Sequence, residues 1–184
     1  MTKTFHPEKL DIKAFAQAGG HLAQHEALLK YPRLAEEAHG LLHPDLRVDW
    51  QADAEMRSDG GNGHQPWLHL RVEATFPMQC QRCLGPVDMP LWVERSFRFV
   101  PDEATAEALD EDFEEDLLAL SPDFDLHTLI EDELLMALPV VPRHDECPES
   151  VTLASSSEDF EAANAEKPNP FAALASLRVG KSKD

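Results

Sequence analysis

Lysine and arginine are missing from residues 99–142, although that stretch carries fourteen Asp and Glu residues. The whole chain of 184 residues has 16 Lys and Arg against 35 Asp and Glu, a formal net charge of −19. Neutralisation of phosphates by Lys and Arg supplies most non-specific affinity for nucleic acids, so this balance argues against a broad nucleic-acid groove. It favours a basic protein partner, or else only a well-solvated surface.

Long hydrophobic runs are also missing. No run approaches the roughly 20 apolar residues that a membrane-spanning helix needs, and no apolar segment of signal-peptide length follows residues 1–7. Three cysteines are too few, and odd in number, for the disulfide framework of a secreted protein. These absences predict a cytoplasmic protein with no membrane partner.

Motifs of the common enzyme classes are absent as well. The sequence has no nucleophile elbow, Walker loop, Rossmann glycine pattern or His-Glu-x-x-His. Acidic residues are abundant, but abundance alone does not make a catalytic pair. Most histidines are scattered at positions typical of surface or turns: His21, His25, His39, His43, His64 and His69. The sequence therefore predicts no active site, no small-molecule substrate and no enzymatic activity.

Alternating apolar and polar residues dominate the middle of the chain. Three segments, 46–56, 68–78 and 87–99, show the period of two that is typical of half-buried strands. Turn residues at 58–63 separate the first two, and Pro90 in the third indicates an edge or a bulge. Short connections between such strands predict an antiparallel β-meander.

Helical signals flank the meander. A helix is predicted over 8–18, ended by Gly19 and Gly20, and another from Pro32 to residue 38, while 21–29 fits either period. Asp125 is expected to cap a helix that runs to residue 138. The acidic residues 102–116 are expected to form a flexible exposed loop with a fragment of helix, before a short strand at 117–120. The predicted fold class is α+β, a β-meander packed with a few helices.

The domain organisation is predicted to be simple. Residues 1–148 are expected to form a single α+β domain, and residues 149–184 a flexible linker with a short amphipathic helix. That helix would start at Asn169 and Pro170 and place Phe171, Leu174 and Leu177 on one face. Such a helix either docks on its own domain or reaches a partner.

Cys80 and Cys83 lie two residues apart between the second and third predicted strands. This spacing can place both sulfurs on one zinc ion, and Gly85 permits the tight backbone that such a turn needs. A tetrahedral site needs two further ligands, and Cys147 with His144 three residues before it are the best placed. Two alternatives stay open. The thiols could simply be reduced and packed near the core, or the pair could be redox-active, which would require a helix to begin at the first cysteine.

Three short motifs occur in a fixed order: Cys-Gln-Arg-Cys at 80–83, Ala-Leu-Pro-Val-Val-Pro at 137–142 and Lys-Pro-Asn-Pro-Phe-Ala at 167–172. With the strands, acidic loop and helix between them, they resemble the YceD family of bacterial large ribosomal RNA subunit accumulation proteins, from about residue 46 to the C-terminus. The resemblance implies a cytoplasmic, non-enzymatic factor needed for synthesis, processing or stability of 23S ribosomal RNA, and so for large-subunit assembly. It transfers no catalytic residue. The spacing of His144 and Cys147 differs in some members.

Several modes of action stay open at this point. The leading hypothesis is a ribosome-biogenesis factor that binds ribosomal RNA or the pre-ribosomal large subunit, through a basic ribosomal protein. The first alternative is a direct RNA-binding module, whose weak and salt-sensitive contacts would come from Arg82, Arg95, Arg98, Arg143 and the tail lysines. The second is a zinc-stabilised interaction protein. Zinc, in a structural role, is the one cofactor that the sequence predicts.

Overall fold

The computed structural model describes residues 4–58, 63–109, 113, 115–148, 157 and 159–160. The chain divides into two compact units, Met1–Cys147 and Pro148–Asp184. The helix predicted near the C-terminus and most of the predicted linker lie outside the described residues. No helix in the described part is long and apolar enough to cross a membrane.

Five strands in the described residues form one sheet, and they lie in the sheet in chain order. Their bounds are His21–Ala27 (β1), Arg47–Ser58 (β2), His64–Gln79 (β3), Pro86–Val100 (β4) and Asp116–Ala119 (β5). Neighbours from β1 to β4 are antiparallel, whereas β5 pairs in parallel with the end of β4. The predicted α+β class and the antiparallel meander are therefore confirmed. The short strand predicted at 117–120 is present as β5 at one edge, and β1 forms the other edge.

Strand register separates the sheet into an inner and an outer face. Trp50, Val72 and Val93 lie side by side on neighbouring strands and are buried on the inner face. Because successive side chains of a strand point to opposite faces, the residues between them point outward. Most of the ambiguous segment 21–29 becomes β1 because its backbone pairs with β2, although its own side chains are mostly exposed. Its last two residues begin the short 3₁₀ helix Leu28–Lys30.

Four α-helices occur in the described residues: Ile12–Gln17 (α1), Pro32–Glu37 (α2), Glu103–Leu109 (α3) and Leu126–Met136 (α4). The predicted cap of α4 is confirmed, since the Asp125 side chain accepts hydrogen bonds from the backbone N–H groups of His127 and Thr128 at 2.9 and 3.2 Å. Helix α1 begins later than predicted because Leu10 N–H donates instead to Phe124, at 2.8 Å.

The start of the acidic segment is a helix. The sequence predicts a loop with a fragment of helix over 102–116, and the structure shows that fragment as α3, followed by β5. Strand β5 reaches only Phe97–Val100 of β4. Pro90, which pairs with Thr75 on β3, therefore lies where the other side of β4 has no paired strand among the described residues, and its missing N–H costs no ladder bond.

The core lies between the inner face of the sheet and the helices. Its largest fully buried side chains include Phe15, Tyr31, Phe76, Phe97 and Phe99. Helices α1 and α4 contribute Ile12, Phe15, Leu126, Ile130 and Leu134 to the same cluster. The outer face carries exposed polar side chains on β2, β3 and β4. One face of the sheet thus holds the fold together while the other remains available for contact.

Candidate metal centre

The turn between β3 and β4 is closed by its own backbone. Cys80 N–H donates to the Gly85 carbonyl at 2.8 Å, and Leu84 N–H donates to the Cys80 carbonyl at 2.9 Å. The left-handed backbone conformation that this turn requires occurs at Leu84, with φ of 61°. The sequence favours Gly85 for the tight backbone of this turn, but the left-handed residue is Leu84, one position earlier. The closed turn directs the side chains of Cys80 and Cys83 towards each other.

The segment after α4 lies against this turn. Gln81 N–H donates to the Pro142 carbonyl at 2.8 Å, which fixes the backbone of the two segments together. His144 and Cys147 follow directly in the chain, and their side chains reach Cys83 and Cys80. The structure therefore brings together all four residues that the sequence proposed as ligands.

The four ligand atoms have the spacing of a tetrahedral site. Sγ of Cys80 and Sγ of Cys147 are 3.9 Å apart, and Sγ of Cys83 is 3.5 Å from Nδ1 of His144. All four atoms lie within 4.8 Å of one another. Zinc bonds of about 2.3 Å to sulfur and about 2.0 Å to nitrogen would separate tetrahedral ligands by about 3.8 Å for S···S and 3.5 Å for S···N. The donor set and its geometry thus fit one zinc ion.

The competing interpretations of the cysteines fit less well. All three are free, and the Cys80–Cys147 sulfur distance is far above the roughly 2.05 Å of a disulfide. A strand rather than a helix follows Cys83, so the helix N-terminus that lowers the first thiol's pKa in a redox pair is missing there. Cys80 is fully buried but is not part of the hydrophobic core cluster, and its sulfur lies beside that of Cys147.

Backbone amides stabilise negative charge on one sulfur. Burial raises the pKa of the Cys80 thiol, but hydrogen bonds from the N–H groups of Cys83, His144 and Arg82 outweigh burial and hold that pKa at about 5. The Gly85 N–H lowers the pKa of Cys83, whereas burial and the neighbouring Cys80 and Cys147 raise it overall. A divalent cation would remove this conflict between adjacent thiolates, because metal ligands bind in the deprotonated form.

Arg82, which the sequence proposes as an RNA or partner contact, supports the site from outside the ligand set. Its Nε donates to Sγ of Cys147 at 3.1 Å, and one Nη donates to the carbonyls of His144 and Asp145 at 2.9 and 3.2 Å. Groups that hydrogen-bond to metal ligands orient them and tune their basicity. The position of Arg82 between two ligands is the only signal in the sequence for this contact.

Three other arginines are proposed for partner contact. Arg95 and Arg98 are bound to protein groups away from the site, whereas Arg143 is not. Arg95 is nine residues along β4 from Pro86, about 30 Å at the rise of a strand, and it pairs with Asp116 at 2.6 Å. Arg98 is buried, hydrogen-bonded to Gln65, and lies over the Phe113 ring at 4.2 Å. Arg143 is exposed and has no hydrogen bond or ion pair with any described residue.

The candidate metal centre lies in the part of the chain that resembles known proteins. The family model described as Large ribosomal RNA subunit accumulation protein YceD matches residues 68–178, which contain all four candidate ligands. The Large ribosomal RNA subunit accumulation protein YceD of Haemophilus influenzae is 33% identical over 111 residues, which cover 59% of this chain and 63% of that relative. The matched stretch thus spans less than two thirds of the relative's length. No solved structure matches. As its motifs predicted, the chain belongs to the YceD family of large ribosomal RNA subunit accumulation proteins.

Proposed function

We propose that this protein supports the accumulation of large-subunit ribosomal RNA, and so large-subunit assembly, by binding rather than by catalysis. The family match across residues 68–178 carries the proposal, because the family and its Haemophilus relative are named for that role. The place of action would be the cytoplasm, whose reducing conditions suit three free cysteines. The proposed effect is on the synthesis, processing or stability of 23S ribosomal RNA.

The contacts of the buried acids support binding over catalysis. Glu26 accepts hydrogen bonds from Tyr31 and Trp50 at 2.7 and 2.8 Å. Glu131 accepts hydrogen bonds from the backbone N–H groups of Arg33 and Leu34, at 2.7 and 3.2 Å. These bonds join α4 to α2. These two carboxylates are engaged in holding elements together. Their arrangement is that of a scaffold.

The metal centre would serve the same scaffold. One zinc ion bound by Cys80, Cys83, His144 and Cys147 would hold the segment after α4 against the β3–β4 turn. In the described residues, the side chains at that junction otherwise contribute a few hydrogen bonds around Arg82. Structural zinc sites contribute folding free energy directly, so the ion would fix the shape of this corner.

Exposed apolar residues near this corner support a protein partner. Leu84, Met136, Val140 and Val141 are between 59% and 95% exposed, and Leu41 contributes to a depression of about 370 Å³ beside Val140. Exposed apolar patches mark protein–protein contacts more often than isolated surface residues do. A basic ribosomal protein would cover these apolar residues and complement the acidic charge of the chain.

Direct RNA binding remains the second candidate, and the free guanidinium of Arg143 is the observation that favours it. Arg143 lies in the segment that carries His144, one residue before a proposed ligand. Arg82, Arg95 and Arg98 are already engaged by protein groups, so a phosphate would have to compete for them. RNA binding that falls when Arg143 is replaced, in the absence of any ribosomal protein, would favour this candidate.

Deletion of the gene tests the proposed function. The ratio of large- to small-subunit ribosomal RNA should fall in the deletion strain and recover when the full chain is supplied. An unchanged ratio would overturn the proposal. Supplying a chain with Cys80 and Cys83 both replaced by serine separates the structural role from an enzymatic one. Loss of zinc with a lower melting temperature is expected, whereas a chain as stable as wild type but inactive would indicate thiol chemistry.

A further inference from the structure

The outer face of the sheet contains two copies of one arrangement. Glu55 on β2 lies directly opposite Trp67 on β3, and Glu73 on β3 lies directly opposite Trp92 on β4. In both places a carboxylate and an indole are adjacent on the same exposed face, at the close spacing of cross-strand neighbours. The two copies differ in what accompanies them.

The first copy is completed by an arginine of the same chain. The Arg57 guanidinium lies over the Trp67 ring, 4.7 Å from its centroid, and Arg57 Nε donates to Glu55 at 2.5 Å. A cation over an indole, held by a carboxylate, is a favourable arrangement because the ring face and the carboxylate both attract positive charge. This cluster shows which chemistry the Glu–Trp pair accepts.

The second copy has no such cation in the described part of the chain. Trp92 is 62% exposed, and Glu73 is exposed and has no hydrogen bond or ion pair with any described residue. The nearby arginines are engaged elsewhere, since Arg71 pairs with Glu94 at 3.1 Å and Arg47 donates to the Pro44 and Leu46 carbonyls. An exposed tryptophan beside an unpaired carboxylate is therefore the exception on this face.

The second copy continues across the sheet as one row of residues. His25, Asp49, Glu73 and Trp92 lie over β1 to β4, each opposite the next. Asp49 pairs with Nδ1 of His25 at 2.5 Å, whereas Glu73 has no partner among the described residues. Two grooves, of about 510 and 620 Å³, share Asp49 and Glu73, and the larger also reaches Asp45 and Trp92. Three inter-strand spacings make this row about 14 Å long, which matches four or five residues of an extended peptide.

We propose that this row, which we call the Glu73–Trp92 row, binds an arginine-rich segment of a basic protein. A partner guanidinium would stack on Trp92 and pair with Glu73, as Arg57 does with Trp67 and Glu55. A neighbouring basic side chain would approach Asp49 in competition with His25, which already pairs with it at 2.5 Å. Charge favours a protein over RNA here, because Asp45, Asp49 and Glu73 repel phosphates and outnumber Arg47 among the residues that line the larger groove. The inference rests on the proposed function, for which it supplies the surface that a basic ribosomal protein would contact.

Titration of the full-length, isotopically labelled chain with a ten-residue peptide of alternating arginine and glycine tests the row. The indole N–H signal of Trp92, assigned by its loss in Trp92→Phe, should shift, while that of the buried Trp50 should not. Trp92→Ala leaves the net charge unchanged and should weaken peptide binding by about 2- to 30-fold. Glu73→Gln should weaken it by about 1.5- to 5-fold.

Glu107→Gln is the matched control, because it removes the same charge from an exposed position on α3. Equal loss of affinity in Glu73→Gln and Glu107→Gln, or no loss in Trp92→Ala, would show that the peptide binds only through net charge and would overturn the proposal. Stronger shifts of the Trp92 signal with a ten-nucleotide single-stranded RNA would overturn it in favour of RNA.

Two other occupants of the Glu73–Trp92 row would change the Trp92 signal in distinguishable ways. A Trp92 signal that depends on protein concentration without peptide would identify a second copy. A Trp92 signal that moves when Arg178, Lys181 and Lys183 are replaced by Gln would identify the chain's own basic residues, and either result would overturn the proposal. Failure of the row remains distinguishable from failure of the proposed function, since only the latter predicts an unchanged ribosomal RNA ratio after gene deletion.

Discussion

Arg82 donates a hydrogen bond of 3.1 Å from Nε to Sγ of Cys147, which lies on the segment beyond α4. The same guanidinium holds two carbonyls of that segment, at His144 and Asp145. One side chain in the β3–β4 turn therefore positions both distant members of the candidate metal centre. Arg82 thus holds the β3–β4 turn to the segment beyond α4, in addition to contributing a surface charge.

Replacing Arg82 should weaken zinc binding while leaving the four ligands in place. Loss of a group that orients a metal ligand typically reduces affinity by about 10- to 100-fold, so Arg82→Ala is expected to fall in that range. Arg143→Ala is the matched control, because that exposed arginine has no bond to any described residue. Competition with a chromogenic zinc chelator measures the zinc affinity of both variants. Equal affinities would contradict the positioning role of Arg82.

Glu131 should be essential for holding α2 to α4. It accepts two backbone N–H groups of α2, from Arg33 and Leu34, and Glu131→Ala would leave both without a partner. The expected loss is about 2–4 kcal/mol in the free energy of unfolding. Asp132→Ala removes only a half-exposed ion pair with Arg33 and should cost less than about 1 kcal/mol. Urea denaturation compares them, and similar losses would refute the assignment.

Glu26 should contribute stability that disappears in acid. Burial raises its pKa, but hydrogen bonds from Lys30, Trp50 and Tyr31 lower it below its ordinary value near 4.5 overall. A lowered folded-state pKa stabilises the protein above pH 4.5, and this contribution is lost as the pH falls through the lowered value. Glu26→Gln should thus be less stable than wild type by about 1–3 kcal/mol at pH 7. The difference should shrink towards pH 3 in thermal melts, and a constant difference would contradict this.

Glu133 should show the opposite pH dependence. Burial raises its pKa, and the charges of Asp116 and Asp132 add to this effect while Arg95 opposes it. A raised folded-state pKa stabilises the protein below about pH 4.5, and that contribution is lost as the pH rises through the raised value. Glu133→Gln is therefore expected to raise the melting temperature at pH 7 and to leave it unchanged near pH 4. A variant that is less stable at pH 7 would show that the 3.7 Å contact with Arg95 outweighs burial.

Local sequence patterns determine the parts of this fold that could be predicted. The strands of the meander have a period of two over most of their length, and the Asp125 cap has a side chain suited to it. Strand β1 could not be assigned from its own residues, because pairing with β2 rather than its side-chain pattern makes it a strand. The parallel pairing of β5 depends in the same way on where the chain returns.

The candidate site was predictable in its ligands but not in its supports. Cys147 is the third cysteine of the chain, and His144 stands out among nine histidines because it lies three residues before Cys147. The hydrogen bonds of Arg82 depend on the direction of a side chain in a turn, which spacing does not determine. The pairing of Glu73 with Trp92 likewise requires the register of β3 and β4, which the length of the intervening turn sets.

Zinc stoichiometry tests the proposed centre most directly. The full chain, purified without an affinity tag and without chelators, should retain one zinc ion in native mass spectrometry and elemental analysis. Removal of that ion should lower the melting temperature, and Cys147→Ser should reduce the bound zinc. A folded chain that carries no metal, reacts readily with a thiol reagent at all three cysteines and melts unchanged with added zinc would contradict the account.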